Sequence, residues 1–499
     1  MTSLRLFVVI TIALWCFVSI TAFAWDELPR VDWSKVKPSD FADDELDLPF
    51  YLQHFHVLAD GIVEQGPERG WIKAGVWRGE KDPSYNARVL ENYLTLAYFY
   101  CTNRPWNPYY ASPALRQRLE AVLEFWCNSQ GSEGGFSEYA AKRYGTAPTA
   151  FATKFMGRTL ALLKDGPPID AALHKRVIEA DRKALVAVMQ TESWWGHGRS
   201  YTNQWSNIFG GGPQLTALYP DAELDRMLDA AMRRAHDEFQ SPAGFFYEHD
   251  GPDFGYTLHT HHSNMVQAYH FLRDTPRGAV IEQEQKLWCE WLSYNLVREP
   301  DGSTFVVNRA IETRQKHPVH RREEAPWGDR VELARAFATT DEEHQGQIAE
   351  ARARLERDWP PDTSPTRGAG GQLLGATTAD DEGAASQPST RPARLTITPY
   401  AFFERAYRHW YPTTVERDAA VAKLPYLARQ SFVQAHRQPV PAHVHVHSSA
   451  ELLRHLQSRD APHRPAAIRA RFAVEPANWH GASVADCHHG SDLGNTSAR

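Results

Sequence analysis

The stretch Ser84-Tyr-Asn-Ala-Arg-Val-Leu-Glu-Asn-Tyr-Leu-Thr-Leu-Ala-Tyr-Phe-Tyr-Cys101 shows the periodicity that decides the fold class. Apolar residues recur three and four positions apart along it, which is the spacing of one face of an α-helix. The same spacing returns in further segments of similar length, and Gly- and Pro-rich connections separate them. The predicted helices cover residues 84–101, 113–128, 149–163, 170–191, 221–240, 261–273, 280–297, 341–358, 399–411 and 414–434.

A succession of similar helices joined by short loops predicts antiparallel helical hairpins. We therefore expect an all-α fold, specifically an (α/α)n toroid, which is a closed or incomplete barrel of roughly six or seven helical hairpins. An open α-solenoid and a helical bundle are the alternatives, and the lack of a fixed repeat with shared positions weakens the solenoid. The sequence predicts no C-terminal β-sandwich, because it shows no series of alternating strands.

The first residues of the chain predict its compartment. Arg5 precedes a short apolar run, and the small-residue signature Ala22-Phe23-Ala24 follows that run, which is the order of a secretory signal peptide. The apolar run is shorter than the ~20 residues that a transmembrane helix needs, and an uncleaved N-terminal anchor is the alternative. We expect export to the periplasm or the extracellular space, with no stable membrane association after the signal is cleaved.

Composition divides the chain into five segments. After the signal peptide at 1–24, residues 25–358 form the predicted toroid. Residues 359–398 are mainly small and polar, which is typical of a flexible low-complexity insertion or linker. Helices within 399–438 are expected to complete the toroid. Residues 439–499 are rich in His, Arg and Pro and are expected to form a poorly ordered tail.

Charge and cysteine content argue against a nucleic-acid-binding protein and against a disulfide-stabilised scaffold. A formal net charge of −7 over 499 residues creates no field that would attract nucleic acid, so no nucleic-acid partner is expected. Cys101, Cys127 and Cys289 lie in apolar helical context, which is typical of buried thiols rather than of a disulfide framework. A bridge between Cys101 and Cys127 is left open. The protein is expected to act as a monomer.

Three segments carry more polar residues than a helical core needs. The first is Trp194-Trp-Gly-His-Gly-Arg-Ser-Tyr-Thr-Asn-Gln-Trp-Ser-Asn207. The second is Gly244-Phe-Phe-Tyr-Glu-His-Asp-Gly-Pro-Asp-Phe-Gly-Tyr-Thr-Leu-His-Thr-His-His262. The third is Val307-Asn-Arg-Ala-Ile-Glu-Thr-Arg314. Together they offer amides, imidazoles, phenols and guanidinium groups, which are the groups from which an acid–base site is built.

These groups suit β-elimination on a uronic acid. The proton on C5 is weakly acidic, so the neighbouring carboxylate must be neutralised by amide, imidazolium or guanidinium donors. A base then removes the proton, and an acid protonates the leaving oxygen. A tyrosine can do either when nearby cations lower the pKa of its phenol from about 10. The three segments supply Asn203 as a neutral donor, His249 and Tyr256 close together in sequence, and Arg309 and Arg314 as cations.

The same residues resemble a known group of enzymes. Asn203-Gln-Trp205 before a Gly-rich turn resembles the Asn-Trp element of helical-toroid polysaccharide lyases. The segment from Gly244 to His249, followed by Gly255-Tyr256, is similar to their segment that places a His before a Tyr-Gly pair. Arg309-Ala-Ile-Glu-Thr-Arg314 resembles their paired arginines. The resemblance covers roughly residues 85–330 and includes the alginate/glucuronan, heparinase II/III-like and hyaluronate/chondroitin lyase groups.

The resemblance implies a role for each matched residue. Asn203 would neutralise the uronate carboxylate, Tyr256 would act as general base and acid, and His249 would be a base or a second neutraliser. Arg309 would be the catalytic cation and Arg314 a substrate-binding one. The sequence departs from the pattern at Ala243, which replaces an acidic residue, and the spacing from His to Tyr is shorter than in chondroitin lyases. A compact glucuronan- or alginate-type lyase fits best, so an anionic polysaccharide is the expected partner.

Further substrate contacts are expected in the same segments. Indole rings can stack on sugar rings, and charged side chains can bind carboxylates. The remaining predicted substrate-binding residues are Arg199, His197, Trp205, Trp195, Glu248, His261 and His262. The resemblance to heparinase-like lyases allows a structural divalent metal, but no HExxH or comparable spacing supports one. No metal and no cofactor are therefore predicted.

Two other functions remain open from the sequence. A glycoside hydrolase on a similar toroid would need two carboxylates at the scissile bond, and several acidic residues could provide them. These are Glu133, Glu138, Glu248, Asp250 and Asp253. A non-catalytic glycan-binding protein could use the same aromatic residues. Each predicted site residue also has a structural interpretation, in which Asn203 satisfies backbone groups of a turn and the arginines pair with nearby carboxylates.

Overall fold

The fold is all-α, as the periodicity predicts. The structure, a computed structural model, describes residues 25–73, 83–249, 251–298, 305–307, 319–320, 327–361, 397–405, 410–425, 431–437 and 443–449. The predicted signal peptide, residues 362–396 of the predicted linker and residues 450–499 of the predicted tail lie outside the described residues. None of the helices in the described parts is both long and apolar enough to cross a membrane.

The helices are numbered here in chain order. They are α1 Leu48–Asp60, α2 Tyr93–Cys101, α3 Pro113–Ser129, α4 Thr146–Asp165, α5 Ala171–Gln190, α6 Glu192–Ser200, α7 Thr202–Trp205, α8 Asn207–Leu218, α9 Ala222–Phe239, α10 Phe254–Tyr256, α11 His262–Leu272, α12 Pro276–Asn295, α13 Asp341–Arg357, α14 Tyr400–Glu404 and α15 Thr414–Val421. A π-helical turn, Thr257–His261, joins α10 to α11. Short 3-10 helices cover Pro38–Asp40, Asp43–Glu45, Ala87–Asn92 and Glu332–Phe337.

The chain divides into two compact units, each with its own interior. The first unit comprises the described residues within Met1–Ala184, Ala351–Ala376 and Ser389–Arg405. The second unit comprises the described residues within Leu185–Glu350 and Ala406–Arg499. The further prediction that helical hairpins close into a toroid stays a prediction.

The first unit is built around α2, whose side chains are buried on every side from Tyr93 to Tyr100. Its rings join a cluster of aromatic residues from other segments: the ring centroids of Phe55 and Phe99 lie 4.4 Å apart, and those of Phe99 and Phe402 lie 5.6 Å apart. A helix that is apolar all round must lie inside a domain rather than on its surface. Cys101 and Cys127 are free thiols in this unit.

The second unit contains the amphipathic helix α9, which illustrates how the sequence sets helix boundaries. The carboxylate of Asp221 accepts hydrogen bonds from the backbone N–H groups of Glu223 and Leu224, each at 3.0 Å, and so caps the first turn. Its buried residues lie three and four positions apart, and they are Leu224, Leu228, Ala231, Met232, Ala235 and Phe239. This helix therefore packs one face inward and leaves its charged face in solvent.

Helix α8 corrects the sequence prediction of a Gly-rich turn after Asn203-Gln-Trp205, which refers to Gly210-Gly-Gly-Pro213. These residues lie inside the helix, and all of them are buried. A Cβ on Gly212 would lie 2.8 Å from Cδ2 of Leu228 on α9, so glycine lets the two helices pack closely without displacing the Leu228 side chain. Close packing of α8 therefore outweighs the low helix propensity of its residues.

Strands are short and are all antiparallel. They are β1 Phe136–Ser137, β2 Tyr144–Gly145, β3 Leu296–Arg298, β4 Phe305–Val307, β5 Val319–His320, β6 Ser431–Arg437 and β7 His443–Ser449. Strands β1 and β2 form a hairpin, and β3, β4 and β5 form a sheet in that order. In β6–β7, Ser431 pairs with Ser449 and Arg437 with His443.

The hairpin β6–β7 corrects two predictions about the end of the chain. The helix predicted over 414–434 ends at Val421, and residues 431–437 form a strand instead. Its partner strand lies within the region expected to be poorly ordered. The sequence His443-Val-His-Val-His447 alternates polar and apolar residues, which is the period of a strand rather than of a helix. Residues 431–434 therefore lie in a strand rather than a helix, and residues 443–449 form its partner strand; the poor order expected for the rest of 439–499 stays a prediction.

Candidate functional site

The first two polar segments meet in the second unit at the sharp turn between α6 and α7. The backbone N–H of Thr202 donates to the carbonyl of Tyr247 at 3.1 Å, and the Thr202 hydroxyl donates to the same carbonyl at 2.8 Å. The backbone N–H of His249 donates to the carbonyl of Ser200. Each segment donates hydrogen bonds to the other. These bonds hold residues 247–249 against the α6–α7 turn.

Asn203 and Glu248 form the strongest link between the two segments. The backbone N–H of Asn203 donates to Oε1 of Glu248 at 2.7 Å, and its side-chain Nδ2 donates to Oε2 at 2.5 Å. Each residue is only 1% exposed. A buried carboxylate that accepts two hydrogen bonds of this length is stabilised by charge-assisted bonding. Glu248, predicted to bind substrate, is therefore corrected to a buried residue that fixes Asn203.

His249 follows Glu248 at the tip of a tight turn. The backbone N–H of Glu248 donates to the carbonyl of Gly251 at 2.8 Å, which closes the turn. His249 has a φ of 62°, a left-handed conformation that is uncommon for residues other than glycine. Its imidazole is exposed and lies edge-on to the ring of Tyr201, with 5.9 Å between centroids. The turn thus directs a titratable ring towards solvent.

Tyr256 lies half-buried at the end of α10. Oδ1 of the fully buried Asp253 accepts a hydrogen bond from the backbone N–H of Tyr256 at 3.1 Å, and the Asp253 carbonyl accepts one from Thr257 at 3.0 Å. The π-helical turn Thr257–His261 follows directly. Such turns inside α-helices occur frequently at functional sites, because the extra residue redirects neighbouring side chains.

His261 attaches the far end of this turn to the first polar segment. Its Nδ1 lies 3.1 Å from Oγ of Ser206, and its ring lies 3.9 Å from the ring of Phe246. Burial, followed by the nearby His262, lowers the pKa of His261 well below its usual value, so the imidazole stays neutral. Its Nε2 is buried and has no hydrogen-bond partner among the described residues.

The sequence interpretation missed three polar residues of this network. Oγ of Ser206 accepts a hydrogen bond from Nδ2 of Asn264 at 3.2 Å. Nδ2 of Asn207 donates to the carbonyl of Asn203 at 2.6 Å. The signal that could have revealed Ser206 and Asn207 is their spacing from Asn203 by three and four positions, which places them on one helical face.

Several predicted substrate contacts are corrected by their burial. Trp195 and Trp205 are 2% and 0% exposed, and their rings lie edge to face with 4.8 Å between centroids. Their indoles therefore belong to the core and cannot stack on a sugar. His262 is 3% exposed and packs edge-on against Trp288, with 5.2 Å between centroids, so it is also a core residue. His261 is likewise enclosed and lies 4% exposed.

Two predicted contacts on α6 are exposed. Nε2 of His197 lies 2.8 Å from Oε1 of Gln204. Nη1 of Arg199 lies 3.7 Å from Oε2 of Glu238. Arg309 and Arg314 lie outside the described residues. The described residues contain no group of three or more His, Cys, Asp or Glu side chains that could hold a metal ion.

The site thus joins a buried amide–carboxylate pair to an exposed histidine and a half-buried tyrosine on one anchored segment. This segment, from Glu248 to His261, is fixed to α7 at its start through Asn203 and at its end through Ser206. Tyr256 lies between the two anchor points. No family model matches the chain, and no curated protein matches its sequence. The chemistry of the site must therefore be argued from its residues.

Proposed function

We propose that this chain is a polysaccharide lyase that cleaves a uronic-acid-containing glycan, of the glucuronan or alginate kind, by β-elimination. The observation that carries the proposal is the double hydrogen bond from Asn203 to Glu248. It fixes the segment that bears His249 and Tyr256 against the segment that bears Asn203. Residues that must act together on one sugar ring need this kind of preorganisation.

In the proposed reaction, Tyr256 is the acid–base residue. Its phenolate oxygen removes the proton from C5 of the uronate, and the C–H electron pair forms the double bond between C4 and C5. The bond from C4 to the glycosidic oxygen breaks, and the phenol returns its proton to that oxygen. Half-burial supports this role, because the ring is held by its neighbours and remains accessible to a substrate.

Neutralisation of the uronate carboxylate is assigned to His249 and Arg309. His249 is exposed on a turn in a constrained conformation, so it can meet a carboxylate without first leaving the core. Asn203 was expected to do this directly, but its amide donates to Glu248 and it is 1% exposed. We therefore assign Asn203 a positioning role, in which it holds the turn that carries His249.

Three of the five carboxylates that could serve a glycoside hydrolase are buried, which favours a lyase: Glu138, Glu248 and Asp253. Glu133 is exposed, and Asp250 lies outside the described residues. A hydrolase needs one carboxylate to protonate the leaving group and another to act as base or nucleophile. In the second unit, both oxygens of Glu248 accept hydrogen bonds from Asn203, and Asp253 is completely buried beneath the start of the π-helical turn. In the first unit, Glu138 is 8% exposed and faces Arg88, with Oε1 4.0 Å from Nη1.

The proposal includes the remaining expectations from the sequence. The enzyme would be exported, would act as a monomer on an anionic polysaccharide and would need no cofactor for the elimination. Arg314, Arg199 and His197 would provide further contacts to the acidic polymer, since cationic side chains bind carboxylates.

An absorbance screen tests the proposed function. The purified chain is incubated with alginate, glucuronan, hyaluronate, chondroitin and heparan sulfate, and ultraviolet absorbance is followed alongside reducing ends. A lyase raises both signals on at least one polymer, because each cleavage creates a C4–C5 double bond. If reducing ends appear without absorbance, the protein is a hydrolase. If neither signal appears on any polymer, the lyase proposal is withdrawn.

A further inference from the structure

A cleft in the first unit is lined by none of the candidate catalytic residues that the structure describes. It has a volume of about 490 Å³ and lies beside the C-terminal end of α3 and the β1–β2 hairpin. Pockets of roughly 300–1,000 Å³ commonly hold small ligands. The lining residues used below are Arg69, Tyr85, Asn128, Lys142 and Tyr144.

Tyr144 supplies a fixed aromatic surface in this cleft. It lies on β2, where its backbone pairs with that of Ser137, and its side chain is 38% exposed. A Cβ on Gly131 would lie 2.4 Å from Cζ of Tyr144, so the ring packs directly on the glycine backbone. One part of the ring is thereby covered, and the remainder is exposed to the cleft. An exposed, immobilised ring of this kind can stack on the apolar face of a sugar with little loss of side-chain entropy.

Lys142 gives the cleft a positive charge. It lies in the β1–β2 turn with a φ of 60°, and it forms no ion pair with any carboxylate in the described parts of the chain. Arg69, by contrast, is compensated, because its Nη1 lies 3.0 Å from Oε2 of Glu124. Of the two cations among the described lining residues, Lys142 is therefore the one placed to meet an anionic ligand.

Hydrogen bonds hold the polar groups of the cleft in place. The hydroxyl of Tyr85 donates to the carbonyl of Tyr139 at 3.3 Å, which joins the wall before α2 to the hairpin turn. Oδ1 of Asn128 accepts a hydrogen bond from Nη2 of Arg176 at 2.8 Å, which orients the amide. A packed ring, an oriented amide and a cation are the groups needed to bind an acidic sugar.

We propose that this cleft binds a short acidic oligosaccharide, with Tyr144 stacked on a sugar ring and Lys142 paired with a carboxylate. Such a site would retain the polymer on the protein independently of cleavage. The proposal of an acidic saccharide rests on the cleft itself. The choice of a uronate as the experimental probe rests on the proposed function.

Hydrogen–deuterium exchange gives a local test of this proposal. The full chain carries Tyr256→Phe to prevent turnover, and a saturated glucuronate trisaccharide is the probe. We expect slower exchange at the amides of residues 131–145 when the trisaccharide is added. We expect Tyr144→Ala to raise the saccharide concentration needed for half of the maximal protection about tenfold or more, because the stacking surface is lost. Tyr110→Ala is the matched control, since Tyr110 is also 38% exposed in the first unit but does not line the cleft.

A second variant displaces the Tyr144 ring without removing it. Gly131→Ala keeps the Tyr144 side chain but forces it off its position, so it should weaken protection in the same direction. For cellotriose, an uncharged trisaccharide, the concentration needed for half of the maximal protection of these amides should be about tenfold higher than for the glucuronate trisaccharide. Protection that is absent, or that is unchanged in Tyr144→Ala, overturns the site, and equal protection by cellotriose overturns its preference for acidic sugars. Cleavage by the unmodified chain is measured separately, so either proposal can fail alone.

Discussion

Glu248 accepts two hydrogen bonds from Asn203, one from the backbone N–H at 2.7 Å and one from the side-chain amide at 2.5 Å. The two residues are 45 positions apart in the sequence, and both are almost completely buried. In the proposed lyase, both residues therefore act by holding the backbone rather than by touching substrate. Their pairing fixes the turn that carries His249 and the segment that leads to Tyr256.

Replacing one side-chain oxygen of Glu248 tests this relationship. In Glu248→Gln, one carboxylate oxygen is replaced by an NH2 group that faces a hydrogen-bond donor. We expect the free energy of unfolding to fall by about 1–3 kcal/mol, measured by urea denaturation, with a loss of turnover. Glu179→Gln is the control, because the side chain of Glu179 is 64% exposed on α5 and should change stability by less than about 0.5 kcal/mol. Equal stability of the two variants would show that the buried pair is not structural.

Gly244 should tolerate no side chain. Its φ is +110°, and a Cβ there would lie 2.2 Å from the carbonyl oxygen of Leu287 on α12. We expect Gly244→Ala to lower the free energy of unfolding by about 2 kcal/mol or more, which thermal and urea unfolding would measure. Gly346→Ala provides the contrast, since a Cβ on Gly346 in α13 meets nothing within 4 Å. That variant should be stabilised by up to about 1 kcal/mol, as alanine favours helix. A stable Gly244→Ala protein would contradict the backbone described here.

Asp181 should make stability depend on pH. It is completely buried on α5, and neither carboxyl oxygen has a hydrogen-bond partner among the described residues. Burial raises the pKa of Asp181 well above its usual value of 3.8. Above pH 3.8 the unfolded chain releases this proton while the folded protein keeps it. Stability therefore falls as pH rises, until the folded-state pKa is reached.

The variant Asp181→Asn lacks this titration. The difference between its free energy of unfolding and that of the unmodified protein should grow with pH. Above pH 5 this difference should increase by up to about 1.4 kcal/mol per pH unit. Urea denaturation at pH 5, 6 and 7 measures the difference. A difference that does not change with pH would mean that Asp181 is ionised in the folded protein, through a partner outside the described residues.

Tyr256→Phe tests the acid–base assignment. The ring and its half-buried packing are kept, so folding and substrate binding should be largely unchanged. Turnover should fall by roughly 10²–10⁴-fold, the usual contribution of a general acid or base. Tyr201→Phe is the control, because Tyr201 lies beside His249 but is given no chemical role. If Tyr201→Phe loses activity and Tyr256→Phe keeps it, the assignment of the two phenols must be exchanged.

The periodicity of apolar residues predicted most of the helices because their boundaries are set locally. The prediction for 113–128 matches α3, Pro113–Ser129, and the prediction for 221–240 matches α9, Ala222–Phe239. Helix α8 was missed because close packing at Gly212, rather than helix propensity, stabilises it. Composition does not reveal strand β7, because a His-rich tail is typical of disorder and only the alternation within residues 443–447 indicates a strand.

The candidate site was less predictable because its contacts join distant segments. Composition identified the two segments that meet, but no local pattern shows that Glu248 would accept hydrogen bonds from Asn203. Nor does the sequence show that Trp195 and Trp205 face the core, since tryptophans near glycine-rich loops suit either environment. The left-handed backbone at His249 is likewise a tertiary feature, imposed by the turn that closes around it.

The mass of the products from a defined oligouronate tests the central claim most directly. The purified chain is incubated with a glucuronate or mannuronate hexasaccharide, and the fragments are analysed by mass spectrometry. β-Elimination transfers no water, so the masses of the two fragments should sum to the mass of the substrate, and one fragment should carry the unsaturated residue. Fragments whose masses sum to the substrate plus one water would show hydrolysis and would contradict the account.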